Sequence, residues 1–412
     1  METVKIAVIV LLSISSVYLV LITFFTLKYR PGRKRNSQVF KLKPPVSFPS
    51  VSILKPVKGL DDELEVNLES FYRLDYPVYE ILFAVDYWND PAYEVIMRVA
   101  DKYPHIKTII LATGQPEAQN PKVHKLARME SESRGRLLWV TDANVRVESN
   151  TLRRLVEEYH STGASLIFSP IQGTSSRTFA SLIENAGLNF FTSGNVMVLW
   201  KLFRQPVVVG KSILIDSLVL KTFGGFSYFK DYLAEDYLIG KSFRQKGYKV
   251  STNFTWVTNT NRQATTRSLV KRLARWARLR YQLNRPVYLL EIILNPLVLS
   301  LAGAAAFRPL FWQPILIILT LKILLEYLNF MAVNEQDRKR LLNYLLFPAV
   351  VVAKDIIFLA VYLVPFLSST IDWRGRKIRI GKNSLICPTP AHEEYSYQEH
   401  DTTQNPGTLF GP

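Results

Sequence analysis

An aspartate and an asparagine stand two residues apart in Leu137-Leu-Trp-Val-Thr-Asp142-Ala-Asn144-Val-Arg-Val147. Leu137 to Thr141 is a short apolar run that reads as a strand buried on both faces. Ligands of open α/β sheets bind beyond the carboxyl ends of such strands. A carboxylate and an amide at that edge could face a hard cation and the diphosphate it carries; the plainer reading is that Asp142 caps the next turn. A second acidic pair, Glu235-Asp236, lies in the otherwise apolar Tyr232-Leu-Ala-Glu-Asp-Tyr-Leu-Ile-Gly240. There an acid is either the exposed start of a helix or a group whose raised pKa suits a general base. Asp86 and Asp90 surround the end of another strand, where one of them could accept hydrogen bonds from a nucleoside. Asp90 before Pro91 also reads as a helix cap. Arg272-Leu-Ala-Arg275-Trp276 sets two guanidiniums at i and i+3 beside an indole, a pattern that suits phosphate oxygens or lipid headgroups. Gly210-Lys211-Ser212 invites a phosphate-loop reading, but that loop needs a glycine five residues earlier, where Gln205 stands. Lys211 is therefore read as a plain loop lysine.

These residues need a frame. Val51–Leu54, Glu80–Val85, Thr108–Ala112 and Ser165–Ser169 read as strands, with helices between them over the Leu64, Leu68, Phe71 stripe, Tyr93–Tyr103, Ala127–Ser133 and Thr151–His160. Such alternation from about residue 51 to 261 predicts an α/β domain with a mostly parallel, doubly wound sheet.

Hydrophobic residues make up 48% of the 412 and charged residues 21%, with a mean hydropathy of +0.07. The two fit together because the apolar residues are gathered in spans. Ile6 to Leu27 is long enough to cross a bilayer and reads as an anchor within residues 1–30. Lys28, Arg30, Arg33, Lys34 and Arg35 follow it and place that end in the cytoplasm; residues 31–50 read as a basic linker. Residues 262–285 carry a basic amphipathic helix, with Leu269, Leu273 and Trp276 on one stripe, which reads as lying in the membrane interface. Leu289–Phe307, Pro314–Val333 and Leu341–Leu367, within residues 286–370, are expected as three spans. Residues 371–412 form a tail, first basic and then disordered. Three spans put the tail on the far side, yet Arg374, Arg376, Lys377, Arg379 and Lys382 follow the last one. Either one span is re-entrant or the tail departs from the positive-inside tendency. A net charge of +17 fits nucleic acid or an anionic membrane surface. The basic clusters flank apolar spans, so the membrane is expected and nucleic acid is not. The single Cys387 excludes an intrachain disulfide and a cysteine metal cluster.

In order, Asp90, Asp142, Asp236 and Arg272-x-x-Arg275-Trp276 resemble the three aspartates plus (Gln/Arg)-x-x-Arg-Trp signature of membrane-bound inverting glycosyltransferases with a GT-A fold. Leu54-Lys-Pro-Val-Lys-Gly59, Leu74-Asp-Tyr-Pro77, Asp90-Pro-Ala92, Asn120-Pro-Lys122, Ala234-Glu-Asp-Tyr237 and Trp373-Arg-Gly-Arg resemble the ceramide glucosyltransferase family. That resemblance implies a GT-A catalytic domain facing the cytoplasm, tethered in the membrane, which moves glucose from UDP-glucose to a ceramide-like lipid. It implies Mg²⁺ or Mn²⁺ as cofactor, held by Asp142 with Asn144. It further implies Asp236 as general base supported by Glu235, with Asp86 or Asp90, Lys122, Arg272, Arg275 and Trp276 at the UDP-sugar. The chain departs from the animal enzymes at Ala143-Asn144, where they carry Ser-Gly, and at Gly194, where they carry histidine. A hopanoid or other lipid glycosyltransferase shares much of the pattern. A processive polysaccharide synthase and a non-enzymatic lipid-binding scaffold are the remaining rivals. Arg272 in place of the usual Gln, and the few spans after it, speak against the synthase.

Overall fold

The structure is a computed structural model that describes residues 2–32, 48–252, 254–293, 295–306, 312–373 and 376–388. Most of the expected 31–50 linker, and the tail beyond residue 388, lie outside the described residues. A helix α1 (Glu2–Lys28) precedes the α/β part. This runs β1 (Val51–Pro56), α2 (Leu64–Tyr72), β2 (Tyr79–Val85), α3 (Pro91–Asp101), β3 (Thr108–Ala112), α4 (Pro121–Glu132) and β4 (Leu137–Val140). It continues through β5 (Val145–Arg146), α5 (Thr151–Thr162), β6 (Leu166–Phe168), β7 (Ile171–Thr174) and α6 (Phe179–Gly187). A π-helical turn at Leu188–Thr192 joins α6 to α7 (Ser193–Phe203); then come β8 (Ile213–Asp216), α8 (Ser217–Lys221), α9 (Glu235–Gln245), β9 (Val250–Ser251) and β10 (Val257–Thr260).

Seven strands form the main sheet in the order β3-β2-β1-β4-β8-β6-β9. β1 to β4 pair in parallel, while β8 runs antiparallel between β4 and β6. The parallel strands are apolar on both faces because helices cover both. Ile53, Phe83 and Trp139 pack with α2, α3 and α5 on one side; Leu54, Leu82 and Leu138 pack with α4 and α9 on the other. A small sheet β5-β10-β7 flanks the end of β4. The helix expected over Ala127–Ser133 begins six residues earlier, at Pro121, because Asn120 caps it through Lys122 N at 2.9 Å and Val123 N at 3.3 Å. Asparagine followed by proline is a helix start, and it brings Lys122 onto the first turn.

Beyond the sheet lie α10 (Thr266–Leu283), α11 (Arg285–Glu291), α12 (Pro296–Ala306), α13 (Trp312–Val333), α14 (Glu335–Arg338), α15 (Leu341–Tyr362) and α16 (Val364–Leu367). α1, α13 and α15 with its α16 extension are long and apolar enough to cross a membrane. The region expected as the span Leu289–Phe307 holds the pair α11 and α12, bent by 66°, and Pro296 stands where the second begins. Where α13 and α15 lie side by side, Lys322, Glu326, Lys354 and Asp355 form a ring of ion pairs between 2.6 and 3.2 Å. Two charges of each sign meet there, so none faces hydrocarbon alone.

The antiparallel strands β11 (Thr370–Trp373), β12 (Arg376–Ile380) and β13 (Ile386–Pro388) end the described chain. They fasten onto the loop before α9: Leu233 N donates to Ser384 O at 2.9 Å, Ile386 N to Asp231 O at 2.8 Å, and Ala234 N to Ser384 Oγ at 3.1 Å. At the other end of α15, Asp337 of α14 accepts from Ser176 N at 2.7 Å and Ser176 Oγ at 2.9 Å. Both ends of the segment thus return to the α/β part.

Removing Lys354 as Lys354→Leu leaves two carboxylates sharing one ammonium. Breaking a buried pair this way typically costs about 3–5 kcal/mol, so the detergent-solubilised variant should melt at lower temperature. Adding Asp355→Leu removes one charge of each sign and should recover most of the loss. A double variant no more stable than the single one would show that the four charges are not balanced as a unit.

Candidate active site

Asp142 follows β4 and lies at the carboxyl edge of the sheet, as the apolar run ending in Asp predicts. Beneath it Lys55 of β1 is fully buried; its ammonium donates to Thr141 Oγ1 at 2.9 Å and to Asp142 O at 3.0 Å and lies 3.6 Å from the centre of the Phe71 ring. Burial pushes Lys55 well below the ordinary lysine value, against the pull of Asp142. The sequence reading gave Lys55 no role, though it lies in the Leu54-Lys-Pro segment.

The Asp142 carboxylate is held from two sides. Lys122 of α4 reaches Oδ1 at 2.9 Å and Lys211, in the loop before β8, reaches Oδ2 at 2.9 Å. Lys211 also donates to Asn144 Oδ1 at 2.9 Å. Lys122 bridges onward to Glu235 Oε1 at 3.0 Å, whose Oε2 accepts from Asn120 Nδ2 at 3.2 Å. Asn120 Nδ2 also donates to Tyr232 O at 2.7 Å. One asparagine therefore caps α4 and ties it to the start of α9. Burial raises the Asp142 carboxyl, but the two ammoniums outweigh it and hold the group below the ordinary aspartate range. Burial likewise opposes the charge on Lys122, and Asp142, Glu235 and Asp236 outweigh it, so the ammonium stays protonated above its ordinary range.

Glu235 and Asp236 form the first turn of α9, where the helix dipole favours negative charge. They are a helix start, as one reading of the sequence had it, but Glu235 is buried rather than exposed. Asp236 Oδ2 accepts from Gly210 N at 2.6 Å and Oδ1 from Tyr237 N at 2.7 Å. Burial, and then the charge of Glu235, push Asp236 up to about 6, although Lys122 and the two backbone N–H groups pull the other way. The result is a carboxylate that can take a proton near neutral pH.

Asp86 and Asp90 sit in a neighbouring cluster. Asp86 pairs with Lys125 at 2.7 Å and Lys58 at 2.8 Å. Burial raises this carboxyl, but both lysines outweigh it and keep it below the ordinary value. Asp90 caps α3 through Ala92 N at 2.9 Å and holds Gly59 N with Oδ1 at 3.0 Å and Oδ2 at 3.1 Å. The cap is therefore real, and Asp90 also shapes the loop after β1. Lys122 and Lys125, one turn apart on α4, join the two clusters. Arg272 of α10 bonds the buried Glu184 of α6; Arg275 and Trp276 are half-buried on the same helix. The structure thus gathers Lys122, Asp142, Asn144, Glu235 and Asp236 around one point, and sets Asp86 with Asp90, and the α10 residues, in adjoining groups. Lys211, set aside in the sequence as a loop lysine, belongs to the central one.

Residues 8–386 match the family described as "Glycosyl transferase family 21". The chain belongs to that family. It is 25% identical over 374 residues to ceramide glucosyltransferase 3 of Caenorhabditis elegans, covering 90% of this chain and 80% of the relative. With ceramide glucosyltransferase 1 of the same animal the identity is 29% over 270 residues, covering 65% and 56%. With a ceramide glucosyltransferase of Komagataella phaffii it is 35% over 138 residues, covering 32% and 26%. Among solved structures, a mannosyltransferase from Pyrobaculum calidifontis in complex with GDP-Man and Mn²⁺ is 16% identical with a TM-score of 0.45, covering 84% of this chain and 99% of that one. S. aureus TarS in complex with UDP-GlcNAc is 14% identical with a TM-score of 0.36, covering 82% and 98%.

At Gly210 the backbone comes close to the Asp236 carboxylate, its N–H donating at 2.6 Å. A Cβ there would stand 2.9 Å from Asp236 Oδ2 and 3.1 Å from Lys122 Nζ, so Gly210→Ala must displace the Asp236 carboxylate. Misplacement of a reacting group by about 1 Å costs on the order of 10²-fold, and the turnover of this glycosyltransferase should fall accordingly with its melting temperature unchanged. Wild-type kcat in the alanine variant would mean that Gly210 does not set the position of Asp236.

Proposed function

We propose that this chain is a lipid hexosyltransferase of the membrane, which transfers glucose from UDP-glucose to the primary hydroxyl of ceramide or a similar lipid with inversion at the anomeric carbon. The observation that carries the reading is Asp236. It is a half-buried carboxylate raised to about 6, beside groups that suit a departing diphosphate. Family membership and relatives named ceramide glucosyltransferases support the choice of lipid and sugar. The basic helix α10 beside apolar helices supports a membrane acceptor, with the catalytic domain facing the cytoplasm.

The reaction is one displacement. Asp236 removes the proton from the lipid hydroxyl, the oxygen bonds to the anomeric carbon, and the bond from that carbon to the diphosphate oxygen breaks. UDP leaves with one more negative charge, which Lys122 meets directly because it already lies among the acids. Glu235 holds Lys122 and keeps Asp236 basic by its charge. We assign Asp86 and Asp90, through the loop they brace, to the nucleoside side. Arg275 and Trp276 are assigned to the diphosphate and the acceptor entrance, and Arg272, bonded to Glu184, to seating α10 on α6. Among the described residues no group of three His, Cys, Asp or Glu side chains could hold a metal. A hard cation that arrives on a diphosphate needs only one or two protein oxygens, however, and Asp142 with Asn144 fits that demand. Mg²⁺ or Mn²⁺ held there would neutralise charge on the leaving diphosphate.

Purified protein in detergent micelles with ceramide and radiolabelled UDP-glucose should give a labelled product that partitions into organic solvent and has the mass of a hexosylceramide. An insoluble polymer would point to a synthase, a product only with another lipid would replace the acceptor, and no UDP release with any lipid would overturn the enzymatic reading.

Asp236→Asn keeps the shape of the side chain but cannot take the proton, so turnover should fall by on the order of 10²–10⁴ with UDP-glucose affinity largely retained. Glu235→Gln should be milder. In the wild type the base must be ionised. Activity is therefore present above, and lost below, a pH near the Asp236 value of about 6, with kcat/KM falling tenfold per pH unit on the acid side. Near-normal turnover in Asp236→Asn, or an acid limb that persists in its residual activity, would assign the base elsewhere.

A further inference from the structure

The segment Gly210-Lys211-Ser212 lacks the upstream glycine of a phosphate loop, yet each of its residues holds part of the site. Gly210 donates to Asp236. Ser212 is buried, accepting from Trp139 Nε1 at 3.0 Å and bonding Ser169 Oγ at 2.9 Å, which fixes the loop to the floor of β4. Lys211 stands between them with its side chain 21% exposed and its ammonium on Asp142 Oδ2 and Asn144 Oδ1.

We propose that Lys211 is a further phosphate-binding residue of the nucleotide-sugar site, which holds the Asp142–Asn144 oxygens while that site is empty and moves onto the diphosphate when the sugar nucleotide brings its cation. The inference rests on the donor reading given above. Asp142 and Asn144 together carry one formal charge, too little to hold an ammonium and a divalent cation at once without strong like-charge repulsion. Lys211 is bound to the same two oxygens that such a cation would take, so the two compete. The displaced ammonium need not return to solvent. It is on a long side chain at the mouth of the site, and the ligand entering beside it is a dianion. Lys122 is in a different position: its second partner, Glu235, is buried and tied to Asn120, so it stays while Lys211 moves. Lys211 thereby makes an empty site electrically tolerable and a filled one tighter.

Two affinities separate this from a structural role, measured on the full-length protein in detergent. In Lys211→Met, Mn²⁺ binding to the nucleotide-free enzyme, followed by electron paramagnetic resonance, should be about tenfold tighter, because the competing ammonium is gone. UDP binding at saturating Mn²⁺, followed by calorimetry, should be about tenfold weaker, because a charge-assisted hydrogen bond is lost. Lys211→Arg keeps the charge and should stay near the wild type in both. The opposite signs for metal and nucleotide are the signature, since loss of folded protein weakens both. If Lys211→Met matches the wild type in UDP affinity, or binds Mn²⁺ no more tightly, the role of Lys211 is overturned while the donor reading stands. If wild-type protein binds neither UDP nor pyrophosphate with Mn²⁺ present, the donor reading fails and takes this role with it.

Discussion

The site depends on a single ammonium. Lys122 lies between Asp142, at the end of β4, and Glu235, at the start of α9, and it touches both. Without it, three acids from two distant parts of the chain would be pressed together with too little counter-charge, which proteins avoid by neutralising or moving apart. Its position follows from Asn120 and Pro121, which start α4 at the one point where its first turn faces the acids. Because the amide that caps α4 also bonds Glu235, the helix, the lysine and the acidic turn are tied to one another. The differing tendencies of Asp142 and Asp236 follow from the same arrangement. Asp142 has an ammonium on each oxygen and stays ionised, while Asp236 is buried beside an acidic neighbour and, against the pull of Lys122 and two backbone N–H groups, holds a proton more readily.

Much of the frame was legible because strong local signals coincide with the elements. Apolar runs marked β1 to β4, and Thr108–Ala112 was placed to the residue. Between β7 and β10 the reading thinned out. The π-helical turn and α7 are buried on several sides, so their apolar residues show no single stripe, and β9 is two residues long. The acids of the site were legible as acids, since a carboxylate in an apolar context is conspicuous. Lys55 and Lys211 were not. A lysine in sequence reads as surface, and only the sheet shows that one is fully buried under Asp142 and the other bent back onto it. Asp90 shows the opposite case, in which the commonplace reading as a cap was correct and was only part of what the residue does.

The membrane-facing part obeys a related constraint. Four ionised side chains between α13 and α15 are arranged so that each has an opposite partner. The ring also fixes the rotation of both helices about their axes, because a turn of either would expose a bare charge to an apolar surrounding. The same face of α15, one turn earlier, also packs on α6 and α10, with Ile183, Leu269 and Val350 in one cluster. Through that cluster the helix that carries Arg272, Arg275 and Trp276 is seated on the α/β part and on the apolar helices together.

The fastening of Ser384 and Ile386 onto the residues just before Glu235 has a consequence in time. During synthesis the two acids leave the ribosome roughly 150 residues before the strand that closes over their loop, so the acidic turn is made long before it can be locked. A chain stopped anywhere short of Ser384 lacks the three hydrogen bonds from the C-terminal strands to Asp231, Leu233 and Ala234. The last described strands thus act as a completion check: the turn that delivers Asp236 is braced only in a protein whose apolar helices have already been made and have brought the chain back to the domain it began from.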